Sequence, residues 1–125
     1  MDEDRYQIDL HDKYGHLNLI DIAAEVAASD HPWRNQTLTT VNDSVVRLGI
    51  IQGGDFHWHQ HEDEDEFFLV LDGKLLIDVE ASETIELGRH QGVTIPKGVR
   101  HRPRAPGPVV ILMVETASVV PTGDR

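Results

Sequence analysis

Residues 55–79 read Asp55-Phe56-His57-Trp58-His59-Gln60-His61-Glu62-Asp63-Glu64-Asp65-Glu66-Phe67-Phe68-Leu69-Val70-Leu71-Asp72-Gly73-Lys74-Leu75-Leu76-Ile77-Asp78-Val79. Imidazoles recur at every second position, an acidic run follows, and two apolar runs flank Asp72-Gly73. A period of two belongs to a strand, where residues i, i+2 and i+4 share a face. Asp72-Gly73 predicts a two-residue hairpin, because such a turn needs positive φ at both central positions. Outward from this stretch, short β-branched and aromatic runs recur at Leu38–Val41, Val45–Ile51, Asp55–His61, Glu66–Leu71, Lys74–Val79, Thr84–Leu87, Val93–Ile95, His101–Arg104 and Val109–Glu115. Turn residues separate them, among them Asn42-Asp43, Gly53-Gly54, Pro96-Lys97-Gly98 and Ala105-Pro106-Gly107-Pro108. Such a series predicts one all-β domain, a small antiparallel barrel or sandwich.

The flanks are different. Residues 1–16 are polar and aperiodic and are expected to form a loose lead-in. Residues 18–28 are Ala-rich, with Leu19, Ile22 and Val26 at helical spacing, and predict a short helix that His31-Pro32 ends. The expected organisation is an arm and short helix over 1–37, the β-domain over 38–116 and a tail over 117–125. A chain of 125 residues forms one domain of this kind.

The net charge of −11 repels nucleic acid and anionic lipid, so neither is an expected partner. The longest apolar run, Val109–Val114, is too short to span a bilayer, and the opening Met1-Asp2-Glu3-Asp4-Arg5 is unlike a secretory signal. Cysteine is absent, which excludes thiol nucleophiles, Cys-rich zinc sites and iron–sulfur clusters. The expectation is a cytoplasmic protein. No P-loop, dinucleotide glycine fingerprint or Ser nucleophile motif occurs.

Strand alternation projects His57, His59 and His61 to one face and Phe56, Trp58 and Gln60 to the other. Neighbouring imidazoles at about 6.5–7 Å between Cα atoms suit two ligands on one ion, whereas three from one strand do not. Glu66 abuts an apolar strand, unlike the solvated run Glu62–Asp65, and would share a face with Phe68 and Val70. A turn through 62–65 would fold Glu66 back beside His59 and His61. His101, after the turn Pro96–Arg100, is a fourth candidate. His11, His16, His31 and His90 read as packed or solvent-facing residues.

Together these residues give Gly53-x5-His59-x-His61-x4-Glu66-x6-Gly73, then Pro96-x-Gly98-x2-His101. The pattern resembles the cupin superfamily over roughly residues 40–116, and the wording of 56–68 resembles small single-domain cupins of the mannose-6-phosphate isomerase-related type. The first motif matches at every defining position. In the second, His90 stands where a Gly is expected six residues before Pro96, and Ala105 replaces a frequent Asn.

The resemblance implies a jelly roll (double-stranded β-helix) and one divalent ion, Mn, Fe, Ni, Co or Zn, held by His59, His61, Glu66 and His101. It implies isomerase-like or dioxygenase-like chemistry on a small oxygenated molecule, in a pocket that Phe68 and Val70 would line. His57 is expected to be either a catalytic or substrate-facing proton shuttle or a polar residue filling the barrel. A module that binds or senses a small ligand without turnover, and a metal-free barrel, are the alternatives. A homodimer is expected, with Phe56 and Trp58 as the exposed aromatic surface that it would cover. Arg89, Lys97, Arg100, Arg102 and Arg104 read as a solvated basic face, or as an anion-binding rim.

Overall fold

A computed structural model describes residues 5–124; the acidic opening Met1–Asp4 and the final residue lie outside it. Its described residues form ten strands and one helix in the order β1 (Gln7–Asp9), α1 (Ile22–Ala28), β2 (Trp33–Val41), β3 (Ser44–Ile51), β4 (Gly54–Asp55), β5 (Glu66–Asp72), β6 (Leu75–Val79), β7 (Ile85–Leu87), β8 (Gly92–Ile95), β9 (His101–Ala105) and β10 (Val109–Thr116). The fold is the expected all-β jelly roll with one short helix. The sheets do not close into a single barrel. They face each other as a sandwich: six strands in the order β1-β2-β3-β10-β5-β8 and four in the order β4-β9-β6-β7.

Alternation within the strands builds the core. Ile51 of β3, Phe68 and Val70 of β5, and Ile111 and Met113 of β10 point from the larger sheet. Leu75 and Ile77 of β6, Leu87 of β7 and Ala105 of β9 meet them from the smaller one. The outer face of the larger sheet carries a second cluster around Leu38, Leu48 and Ile50, which Tyr14, Ile20 and Ile22 of the N-terminal segment partly cover.

Three local expectations change. The helix begins at Ile22, not at residue 18, because Asp21 caps it by accepting from the Ala24 N–H at 3.0 Å, while Leu17 has φ +70°. β2 begins at Trp33, inside the expected arm, and β1 pairs with it in parallel. Asp72-Gly73 does not close a hairpin: β5 belongs to the larger sheet and β6 to the smaller. The pair is a corner between layers. Gly73 has φ +86° there, and a Cβ would stand 2.3 Å from the Pro108 carbonyl oxygen, so only glycine fits.

Candidate metal centre

The segment after β4 remains extended but makes little regular ladder. Its anchor is a bridge in which the His59 N–H donates to the His101 carbonyl at 3.0 Å and the His101 N–H returns to His59 at 2.9 Å. The Gly98 N–H donates to the His61 carbonyl at 2.7 Å. These bonds align His59, His61 and His101 along the smaller sheet. Glu66, the first residue of β5, faces them from the larger sheet. Glu66 is therefore brought to the histidines across the sandwich, not by folding back in a hairpin, since β5 pairs with β10 and β8.

The four side chains converge. One ligand atom from each of His59, His61, Glu66 and His101 lies within 4.8 Å of the others. Glu66 Oε1 is 3.4 Å from both His61 Nε2 and His101 Nε2. All four residues are at most 4% exposed. Glu66 Oε1, His101 Nε2 and both ring nitrogens of His61 nevertheless lack a hydrogen-bond partner. Burying such atoms unsatisfied costs on the order of 1–3 kcal/mol each. One cation among them would satisfy the inward-facing atoms together, so the donor set fits a divalent ion, and three imidazoles with one carboxylate suit Mn, Fe, Co, Ni or Zn.

Hydrogen bonds to carbonyls prepare two of the rings. A carbonyl only accepts, so His59 Nδ1 donates to the His57 carbonyl (3.0 Å) and His101 Nδ1 to the Val99 carbonyl (2.9 Å). Each ring then keeps its lone pair on Nε2, as a metal ligand needs. Burial, with His101 nearby, pushes the His59 pKa down to about 4, so this ring is neutral at pH 7. Burial also disfavours His61 protonation, but the Glu66 carboxylate outweighs it and raises that pKa. Burial opposes the Glu66 charge as well; the His101 and His61 rings, each 3.4 Å from its Oε1, outweigh it and hold the carboxyl well below the usual range.

Sequence reasoning missed two neighbours. Glu115 of β10 is the register partner of Glu66, and its Oε1 lies 3.0 Å from Arg47 Nη1, both side chains being almost fully buried. Arg47 also donates to Thr37 Oγ1 at 3.1 Å and to the Val119 carbonyl at 3.4 Å. Burial and the Glu66 charge push the Glu115 pKa up to about 9. The available signal was period two: Arg47 shares a face with Val45, Gly49 and Ile51, and Glu115 shares one with Ile111 and Met113.

A narrow cleft, partly open to solvent, adjoins His59 and Glu66. Trp33, Phe56, Phe68, Ile111 and Met113 form its apolar wall, with Arg34 and Asn35 among its polar lining. Phe68 thus lies where the pocket was expected, while Val70 is fully buried in the core and does not line the cleft. His57 lies behind the wall: Nδ1 is 3.2 Å from the Tyr6 hydroxyl, and Nε2 donates to the Thr122 carbonyl at 2.6 Å. Phe56 corrects the expectation of an exposed aromatic face. It is 7% exposed and packs against Tyr6, Trp33 and the His59 ring, because the strand-like alternation breaks between residues 56 and 59. Trp58 does point outward, beneath the Arg102 guanidinium. Arg102 and Arg104 both clamp Asp78, and Arg100 pairs with Glu80, so these three cations of the basic cluster are ion-paired.

Residues 117–124 close over the histidines. Pro121 lines the cleft, and a Cβ on Gly123 would stand 2.4 Å from the His59 Cβ. The Asp124 N–H donates to the Gln60 carbonyl at 2.9 Å. No helix among the described residues is long and apolar enough to cross a membrane.

The chain is similar to known proteins over this same framework. Residues 46–115 match the model of the cupin domain family. The uncharacterized protein YdbB of Bacillus subtilis (strain 168) is 43% identical over 98 residues, covering 78% of this chain and 83% of that one. A crystal structure of a cupin-2 domain containing protein from Shewanella frigidimarina superposes with a TM-score of 0.73 at 31% identity, over 78% of this chain and 94% of that one. Protein BH2720 of Bacillus halodurans shares the fold, with a TM-score of 0.68 at 23% identity over 86% of each chain. With its domain match, its two-sheet jelly roll and its buried His/Glu cluster, the chain belongs to the cupin domain family.

Proposed function

We propose that the protein is a metal-dependent enzyme acting on a small oxygenated organic molecule, with His59, His61, Glu66 and His101 holding one divalent transition-metal ion. The observation that carries this reading is the set of buried ring nitrogens and carboxylate oxygen that converge without hydrogen-bond partners. A bound ion supplies Lewis acidity, which polarises a carbonyl, stabilises an enolate or activates dioxygen. The side chains do the rest. Phe56, Phe68 and Met113 offer apolar contact to the carbon frame of a ligand and limit water beside the centre. Asn35, whose buried Oδ1 lacks a partner, offers a polar contact from the same wall. His57 supports the site from behind, its carbonyl orienting the His59 ring.

The test begins with protein stripped by chelator and reloaded separately with Mn, Fe, Co, Ni or Zn. Turnover that depends on the metal is expected in a panel of sugars, sugar phosphates, keto acids, enols and diols. The resemblance to mannose-6-phosphate isomerase-related cupins puts the sugar phosphates in that panel. Stoichiometric metal without turnover would favour the second reading, a cupin that binds or senses a small ligand. That reading is supported by His57, whose ring is engaged by Tyr6 and Thr122 away from the cleft. Ligand recovered unchanged from a stabilised complex would establish it.

We also propose a homodimer. Phe56 does not supply its surface, being buried. The partly exposed apolar side chains Val46, Leu71, Val110 and Leu112 on the outer face of the larger sheet are a better basis. Light scattering at micromolar concentration should give twice the chain mass; a monomer mass refutes the pairing.

A further inference from the structure

We propose a second, outer cation site formed by His61, Glu64 and Asp124, which takes a hydrated divalent transition-metal ion on its way to the inner centre; the proposal rests on the reading of that centre. One ligand atom from each of the three residues lies within 4.8 Å of the other two. Acidic groups alone would mean little on so acidic a chain. The independent observation is His61, which is 2% exposed and has no hydrogen-bond partner on either ring nitrogen. Its Nε2 approaches Glu66, which leaves Nδ1 for the other side of the ring. His61 thereby differs from His59 and His101, whose Nδ1 atoms are satisfied by carbonyls.

The two carboxylates are held in place while each keeps one oxygen free of these bonds. Glu64 Oε2 accepts from Ser118 Oγ at 2.8 Å, and Asp124 Oδ2 accepts from the Glu62 N–H at 2.7 Å. Nitrogen with two carboxylate oxygens suits the same transition metals as the inner centre, and solvent can complete the coordination because Asp124 is exposed and Glu64 half-buried. The inner donors are at most 4% exposed, whereas Glu64 and Asp124 lie on the solvent side of His61, where an arriving ion meets them first. A neutral imidazole has one nitrogen lone pair, so His61 serves one site at a time. The two sites fill in turn: with the ion on Nδ1 the ring proton sits on Nε2, and as the ion passes to Nε2 that proton is released and solvent returns one to Nδ1.

The test follows Co²⁺ uptake by the metal-free full chain in stopped flow, using Trp fluorescence. E64Q/D124N, and D124N alone should the double variant fold poorly, is compared with the charge control E62Q/D63N. The expected result is an association rate lowered about tenfold or more by E64Q/D124N and less than about twofold by the control. The Co²⁺ dissociation constant should stay within about threefold of wild type, since association and dissociation slow together. Equal rates in the two variants would overturn the proposal. A second arm uses H59A/H101A, which lacks two inner ligands. It should retain weak Co²⁺ binding that added E64Q/D124N removes; no binding overturns the outer site. If the wild type binds no Co²⁺, the inner-centre reading fails and the outer site with it. If the wild type binds and both arms fail, the outer site alone is wrong.

Discussion

His90 occupies an exposed turn with φ +67°, in the left-handed region where an L residue pays about 1–2 kcal/mol. Its backbone N–H donates to the Val70 carbonyl at 2.7 Å, a bond that glycine would keep. The cupin pattern expects Gly at this position, and the conformation explains why. H90G should raise stability by up to about 1 kcal/mol, because the relief of strain is partly offset by the freer unfolded chain. Urea denaturation checks this; an unchanged or lower midpoint refutes it. A second prediction concerns the rings of the inner centre. Metal competes with protons for His61, whose pKa is raised, and hardly with protons for His59, held near 4. Affinity should therefore begin to fall while the pH is still above the ordinary His value of 6.5, and keep falling below it. Competition with a chromophoric chelator between about pH 8 and 5.5 measures it. Affinity independent of pH there would contradict the assignment of His61 as a ligand.

At the scale of elements, alternation was legible wherever strands are regular. Glu66, Phe68 and Val70 point inward on β5, and His101, Pro103 and Ala105 do so on β9, leaving Arg102 and Arg104 outside. Alternation failed for Phe56 because residues 56–58 belong to no ladder. The sheet membership of β5 and β6 was also hidden. The positive φ of Gly73 is a local property, but whether the chain returns on itself or crosses to another layer depends on partners far away in sequence. The outward arginines found a use that a charge count does not reveal. Asp78 of β6 accepts from Arg104 Nε at 2.6 Å and from Arg102 Nη2 at 2.8 Å, joining β6 to β9. Arg104 foremost, then Arg102 and Thr84, hold the Asp78 carboxyl well below the ordinary range despite burial. Its contribution is present above the unfolded value of 3.8 and is lost as pH falls toward the lower folded value. D78N should cost about 1–3 kcal/mol at pH 7. The variant should then lose less stability than wild type between about pH 5 and 2. Parallel acid-dependent slopes in thermal melts would refute this role.

At the scale of the molecule, the proposed centre draws three side chains from one layer and one from the other, so an ion held there would tie the sandwich together. Metal should stabilise the fold by mass action, about 2.7 kcal/mol at a free concentration one hundred times the dissociation constant. Melting with and without Mn²⁺ or Zn²⁺ tests this, and E66Q should abolish most of the increment. An equal increment in E66Q would place the ion elsewhere. The four converging residues were legible because period two pairs His59 with His61, Glu66 opens an apolar strand, and His101 completes the cupin pattern. The role of residues 117–124 was not, because carbonyls, amides and a glycine in an aperiodic segment leave no pattern to read. Their placement has a practical corollary. With Gly123 lodged against His59 and the Asp124 amide fastened to Gln60, an affinity tag appended at that end would pull on the ligand-bearing segment.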